Sequence, residues 1–208
     1  MDQSGTPDAV FCMHCGPGTA LRADVGTGSL RCPACGSQTP RPAFPLLVVA
    51  GVSGSGKTAV LDSLRSRLTT CEIFDVDLIL HVAALGWDVW RNTWLQLAGA
   101  IAANGRPSLL SGTFTPDQLE QLPARILIGP IHFCLLDAPP DVIAARLRDR
   151  PRWRGCTEDF IRAQEGFAAE LRRQIGTVFD THTLGITETA DAVAGWATTV
   201  LEAENAVR

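Results

Sequence analysis

The chain has 208 residues, 46% of them hydrophobic and 19% charged, with a formal net charge of −4 and a sequence pI near 5.5. That length suits one or two domains with an ordinary core, and the mildly acidic balance argues against a protein that coats nucleic acid by charge alone. No apolar run is long enough to span a bilayer and no charged-then-apolar leader opens the sequence, so seven cysteines read as thiols or metal ligands in a reducing compartment, the cytoplasm. Of the 18 basic residues only Lys57 is lysine. Codon bias toward arginine explains the imbalance and makes the surviving lysine worth examining.

Four cysteines fall in the first 35 residues, as Cys12-Met-His-Cys15 and Cys32-Pro-Ala-Cys35. The spacing C-x2-C, sixteen residues, C-x2-C is that of a tetrahedral zinc site. Gly16 and Gly36 follow the pairs, where a tight turn lets backbone amides point at thiolate sulfurs. Ala20–Val25 and Ser29–Arg31 are expected as short strands around Gly26-Thr27-Gly28. The outline, residues 1–41, resembles a four-cysteine zinc ribbon. A module this small cannot bury enough apolar surface alone, and a structural zinc contributes about 10–16 kcal/mol to such a fold. Cys71, Cys134 and Cys156 read as packing residues.

Ser37–Pro45 holds three prolines and reads as a stiff linker into a second domain, residues 42–208. Leu46–Ala50 is a continuous apolar run ended by glycine, the pattern of a buried parallel strand. Similar runs occur at Glu72–Val76, Ser108–Leu110, Ile131–Leu136 and Thr177–Phe179. Helical patterns separate them at Lys57–Leu68, Leu78–Ala103, Pro140–Arg148, Thr157–Ile175 and Glu188–Ala203. Alternation of this kind predicts an α/β fold, a parallel sheet covered by helices on both faces.

Gly51-Val-Ser53-Gly54-Ser55-Gly56-Lys57-Thr58 fits G-x4-G-K-[ST] between the first strand of this domain and a helix, the context that gives the motif its meaning. The glycines let backbone N–H groups curl round an anion at a helix N-terminus. Lys57 is expected to reach the β- and γ-phosphates of ATP, and Thr58 to place its hydroxyl on Mg2+. A GTPase would need N-K-x-D to read its base, and no such string occurs. A motor ATPase would show a second acid after its apolar strand, whereas Phe133-Cys-Leu-Leu-Asp137 continues as Ala138-Pro-Pro. Asp137 therefore reads as a cap for the next helix. The better acidic pair is Asp75 and Asp77. Residues i and i+2 of a strand point the same way, so one carboxylate could orient hydrated Mg2+ and the other accept the proton of an attacking hydroxyl. The competing expectation is that Asp77 caps the helix that follows.

These residues carry a resemblance. The P-loop resembles that of gluconate kinases, Phe74-Asp75-Val-Asp77 the D-x-D of shikimate and gluconate kinases, and Ala144-Ala-Arg146-Leu-Arg-Asp-Arg150 the R-L-x-x-R that opens the lid in that superfamily. Chloramphenicol phosphotransferases and nucleoside monophosphate kinases share the layout. The resemblance covers Leu46 to about Leu201 and implies a five-stranded sheet in the order 2-3-1-4-5. It also implies Mg-associated Asp75, substrate-binding or basic Asp77, and Gly112 in the turn after the third strand, near the substrate. A single glycine stands there where shikimate kinases have three, and Pro151-Arg152-Trp153-Arg154 replaces the histidine that usually follows the lid arginines of gluconate kinase.

Five arginines crowd the segment from Arg146 to Arg154, with a lid expected near 146–156. Planar guanidinium groups stabilise the charge of a transferring phosphoryl group when a loop closes and expels water. Arg150 and Arg154, beyond the helix, are the candidates for that role, and Arg146 for nucleotide binding. Asp180, at the end of the last strand, is expected near the adenine. Trp87, Trp90 and Trp94 share one helical face. Such a stripe is usually core, but in similar enzymes the acceptor pocket lies nearby, so an indole such as Trp94 could stack on a ring-bearing substrate. Arg91, Asn92 and Arg125 could add polar contacts.

The expected function is a kinase that moves the γ-phosphate of Mg-ATP to a hydroxyl of a nucleoside-, sugar- or antibiotic-like molecule. The alternative is a nucleotide-switched module whose ribbon docks a partner. Arg22, Arg31 and Arg41 balance Asp2, Asp8 and Asp24, so the ribbon lacks the basic footprint nucleic acid requires. No membrane contact is expected, and a homodimer is left open.

Overall fold

The computed structural model describes residues 11–24, 29–40, 44–151 and 155–206. Near the N-terminus, Phe11–Cys12 (β1) pairs antiparallel with Gly16–Ala20 (β2). Arg22–Asp24 (β3), Ser29–Arg31 (β4) and Gln38–Pro40 (β5) form a three-stranded antiparallel sheet. The β3–β4 pairing is the hairpin expected from the sequence; its Gly26-Thr27-Gly28 turn lies outside the described residues. The expected linker is shorter than Ser37–Pro45, because Gln38 and Thr39 pair with Arg31 and Leu30. Proline ends this edge strand, a position where a missing N–H leaves the ladder intact.

The second domain is built on Leu46–Ala50 (β6), buried at all five positions. Alternate residues serve opposite faces of the sheet. Leu46, Val48 and Ala50 join Trp94, Leu110, Leu147 and Leu171 in one cluster, while Leu47 and Val49 join Leu64, Leu109, Leu136 and Val193 in another. Lys57–Arg67 (α1) leads to Glu72–Asp75 (β7), and after the helical region Ser108–Gly112 (β8) and Ile131–Asp137 (β9) flank β6 in parallel. Val178–Asp180 (β10) completes the order β10-β9-β6-β8-β7, which is 2-3-1-4-5 when counted within the domain. That is the order implied by the resemblance. It puts the carboxyl ends of β6, β7 and β8 side by side, where open α/β sheets bind ligands.

The stretch expected as one helix over 78–103 is two pieces. Val76–Leu85 is 3-10 helical, Gly86 has φ 126°, and Trp87–Ala103 (α2) follows. Glycine adopts that φ without a Cβ penalty, so the chain turns there. Pro116–Glu120 (α3) escaped the sequence reading because it is one short turn, held by a capping box between Thr115 and Gln118. A 3-10 segment at Pro123–Leu127 precedes β9. Pro140–Arg148 (α4), Glu158–Gln174 (α5) and Ile186–Ala206 (α6) complete the chain. No helix among the described residues is long and apolar enough to cross a membrane.

Candidate functional site

Between β6 and α1 the chain runs through Gly51–Thr58, and α1 opens with no acidic residue in its first turn. Its free N-terminal amides and partial positive charge are therefore left for an anion. Gly54 and Gly56 have φ of 86° and 99°, conformations that let successive N–H groups face inward. Gly51 is required for packing: a Cβ there would lie 2.4 Å from Ser55 Oγ and 2.8 Å from the carbonyl of Leu136. Lys57 Nζ donates to the carbonyls of Gly51 at 2.7 Å and Val52 at 2.9 Å. Burial pushes its pKa down to about 8, opposed by the charges of Asp77 and Asp75 and assisted by Arg150.

Strand β7 stops at Asp75, whose carboxylate accepts the backbone N–H of Asp77 at 3.0 Å and so caps the 3-10 segment. The capping role expected of Asp77 thus falls to Asp75, and Asp77 sits exposed in the first turn. Both border a cavity of about 720 Å3 together with Lys57, Thr58, Gly112 and Arg150. This cavity gathers the phosphate loop, the acid pair, the substrate-side glycine and one lid arginine from four separated stretches of sequence. Gly112 is sterically obligatory, since a Cβ would come within 2.3 Å of Val76 Cγ2.

Two further cavity residues were not legible in the sequence. Thr113 Oγ1 donates to the Gly51 carbonyl at 3.0 Å, and Gln164 Oε1 on α5 accepts the N–H of Ser53 at 2.9 Å. Neither has a local pattern that announces it.

Other expected site residues lie elsewhere. Trp94 is 1% exposed and donates its indole N–H to the Val76 carbonyl at 3.2 Å, so it is core and not part of the cavity wall. Trp87 and Trp90, one and two turns before it, border the cavity instead. Arg125 donates to the carbonyls of Ile128 and Gly129 and pairs with Glu120, which fixes the approach to β9 away from the cavity. Asn92 is likewise buried, accepting the N–H of Ala124.

Arg146 grips the P-loop from behind, donating to the carbonyl of Gly54 and to Oγ1 and the carbonyl of Thr181. Thr181 Oγ1 in turn donates to the Ser55 carbonyl. The Asp180 carboxylate accepts the N–H groups of His182 and Thr183, and these hold its pKa below the usual carboxylate value. It shapes this turn and is not on the cavity wall. Arg154 lies outside the described residues. Arg148 forms a two-point pair with Glu158, joining the end of α4 to the start of α5. Asp137 does not cap α4, whose N-cap is Pro139; its carboxylate is taken by Arg172 at 2.6 and 2.8 Å.

In the N-terminal module the ligand atoms of Cys12, Cys15, Cys32 and Cys35 all lie within 4.8 Å of one another. The Cys12–Cys35 and Cys15–Cys32 sulfur separations are 3.7 and 3.8 Å. A tetrahedral zinc with Zn–S bonds of about 2.3 Å sets its sulfurs about 3.8 Å apart, so the four thiols fit that ion. Ser37 Oγ approaches both Cys12 and Cys35, at 3.4 and 3.2 Å. Its hydroxyl holds the Cys12 thiol down at about 6, while the thiol of Cys35 pushes Cys15 up to about 12.

No family model matches this sequence, and no curated protein matches it. Solved structures do. A sugar kinase from a Janibacter species superposes with a TM-score of 0.56 at 21% identity, covering 74% of this chain and 95% of its own. A tunicamycin resistance protein from Deinococcus radiodurans gives 0.57 at 22% identity over the same shares, 74% and 95%. A gluconokinase from Sinorhizobium meliloti gives 0.53 at 18% identity, covering 78% of this chain and 95% of its own. These likenesses establish the fold of the second domain as that of the P-loop kinases.

Proposed function

We propose that this chain is a phosphotransferase that moves the γ-phosphate of Mg-ATP to a hydroxyl of a small molecule. The carrying observation is that Lys57, Thr58, Asp75, Asp77 and Arg150 border one cavity. Two of the structural neighbours are, by name, kinases of a sugar and of gluconate, in keeping with this reading.

Gly51, Ser53, Gly54, Ser55 and Gly56 shape the loop whose amides bind the phosphates. Thr58 and Asp75 would hold Mg2+, which neutralises charge between the β- and γ-phosphates. Asp77 accepts the acceptor's hydroxyl proton as its oxygen bonds to the γ-phosphorus, and the bond to the β-phosphate oxygen breaks to leave ADP. Lys57 and Arg150, with Arg154 in the lid, offset the charge on the transferring group. Arg146 acts by bracing the loop, and Asp180 by shaping the turn beside it. Zinc on Cys12, Cys15, Cys32 and Cys35 is structural. Seven free thiols suit the reducing cytoplasm, and the partner is a small molecule, not nucleic acid.

Asp77→Asn is the direct test. Transfer to an acceptor found by mass detection of phosphorylated product is expected to fall at least a hundredfold, with Mg-ATP binding by calorimetry kept within threefold. Undiminished turnover in this variant would overturn the role of Asp77, and a wild-type chain that does not bind Mg-ATP would overturn the kinase reading.

A further inference from the structure

Apart from the phosphate loop and the acid pair, the cavity is bordered largely by aromatic and aliphatic groups. Leu80 comes from the 3-10 segment, Trp87 and Trp90 from α2, and Phe160 and Phe167 from α5. Trp87 is 57% exposed, an unusual cost for so large an apolar side chain unless something covers it. It is not loose. Its ring meets Trp90 edge-to-face, with centroids 5.7 Å apart at 86°, and Trp90 rests on buried Phe114 at 5.3 Å. Three rings thus run from the core to the cavity and hold an indole at its border.

The polar groups on this part of the wall are few. Arg91 gives Nη1 to Asp88 at 2.9 Å. The indole N–H of Trp90 is buried with no hydrogen-bond partner among the described residues, a donor that an oxygen brought by a ligand would satisfy. A polyhydroxylated chain or a sugar acid would lose hydration to these walls and regain few hydrogen bonds. A flat unsaturated ring loses little, and gains stacking or edge-to-face contact with a pre-positioned indole. The volume of about 720 Å3 holds such a ring together with a transferring phosphate.

Resting on the kinase reading above, we propose that the acceptor is a hydroxyl compound carrying a planar unsaturated ring, nucleobase-like or aryl, seated against Trp87. The hydroxyl then reaches Asp77 while the ring stays at the aromatic wall, so ring recognition and phosphoryl transfer use different residues. Specificity lies in Trp87, and chemistry in Asp77 and Lys57.

Matched probes test this on the full chain with a non-hydrolysable Mg-ATP analogue bound. Uridine is compared with methyl β-D-ribofuranoside, which keeps the sugar hydroxyls, and 1-phenyl-1,2-ethanediol with its cyclohexyl counterpart, which keeps the bulk. In at least one pair the flat-ring member is expected to bind ten or more times tighter by calorimetry. Trp87→Ala is expected to abolish that preference while Mg-ATP affinity is unchanged, and Trp87→Phe to retain most of it. Success of the uridine pair alone assigns a nucleobase, and of the phenyl pair alone an aryl group. The proposal is overturned if neither flat-ring probe binds better than its partner, if gluconate or shikimate binds tighter than both, or if Trp87→Ala leaves the preference intact. Loss of Mg-ATP binding by the wild-type chain overturns the kinase reading instead, so the two failures are told apart.

Discussion

The side-chain oxygen of Gln164 accepts the backbone N–H of Ser53 at 2.9 Å, tying α5 to the P-loop across 111 positions of sequence. Helix α5 begins just beyond the lid, where Arg148 pairs with Glu158. The tether therefore links the elements that must close to the loop that holds the phosphates. Gln164→Ala is expected to weaken Mg-ATP binding about three- to tenfold, in line with one lost hydrogen bond of about 1 kcal/mol. Gln164→Glu sets a negative charge beside the phosphates and is expected to be worse by a further tenfold or more. Calorimetric titration of the three proteins decides it, and equal affinities would remove Gln164 from the site.

Lys57 has a pH dependence of defined sign. Its pKa in the folded, nucleotide-free chain is near 8, below the ordinary value of 10.5. Between those values the unfolded chain binds the extra proton, so this residue makes stability rise with pH from about 8 to about 10.5. A bound polyphosphate reverses the bias by favouring the charged ammonium. Mg-ATP binding near pH 8.5 is therefore expected to take up a proton at Lys57, and affinity to weaken as the pH climbs further. Calorimetry in two buffers of different ionisation enthalpy measures the uptake; Lys57→Met serves as the control in which this component disappears. A wild-type uptake indistinguishable from the control would contradict the depressed pKa.

The cysteine cluster predicts one zinc per chain. Sulfur separations of 3.7 and 3.8 Å match the edges of a tetrahedral Zn–S4 site, and a module this small depends on the ion for its fold. Elemental analysis is expected to give a stoichiometry of one. Cys32→Ser, which removes a fully buried ligand, is expected to lower it well below one. Strong chelation is expected to make residues near the N-terminus protease-sensitive, while Mg-ATP binding persists. Protein purified with no zinc and resistant to proteolysis would refute the assignment.

What the sequence disclosed, and what it hid, divides along the range of the contacts. The P-loop, the cysteine pairs and the Asp75/Asp77 spacing are local patterns whose chemistry is set by a few neighbouring residues, and all were readable. The roles within the acid pair were not. Period-two alternation assumes a strand through Asp77, but β7 ends at Asp75 and the chain enters a 3-10 turn, so Asp75 became the cap. The tryptophan spacing put three indoles on one helical face. It could not show that this face is core at Trp94 and cavity border at Trp87, because that depends on the break at Gly86. Gln164 and Thr113 meet the P-loop only through packing of α5 and β8, with partners 111 and 62 residues away. Arg125 and Asp180 looked like free polar groups in sequence, and the fold spends both on backbone groups beside them.

Gly112 ends β8 directly against the segment that carries the acid pair. A Cβ there would stand 2.3 Å from Val76 Cγ2 and 3.0 Å from Val76 Cγ1, and Val76 is 1% exposed with its carbonyl held by Trp94. Rotation of Val76 cannot clear both methyl groups, so the 3-10 segment has to move. Such overpacking costs about 1–3 kcal/mol, and the displacement falls on the residues flanking Val76, which are Asp75 and Asp77. Gly112→Ala is therefore expected to lower the thermal midpoint by several degrees and to cut phosphoryl transfer by more than the stability loss explains. Val76→Ala in the same chain opens the space that the new methyl needs. The double variant should recover transfer relative to Gly112→Ala alone, although Val76→Ala by itself destabilises. Melting curves and turnover measured on all four proteins form the cycle. Additive losses in the double variant would show that the glycine matters for some reason other than its contact with Val76.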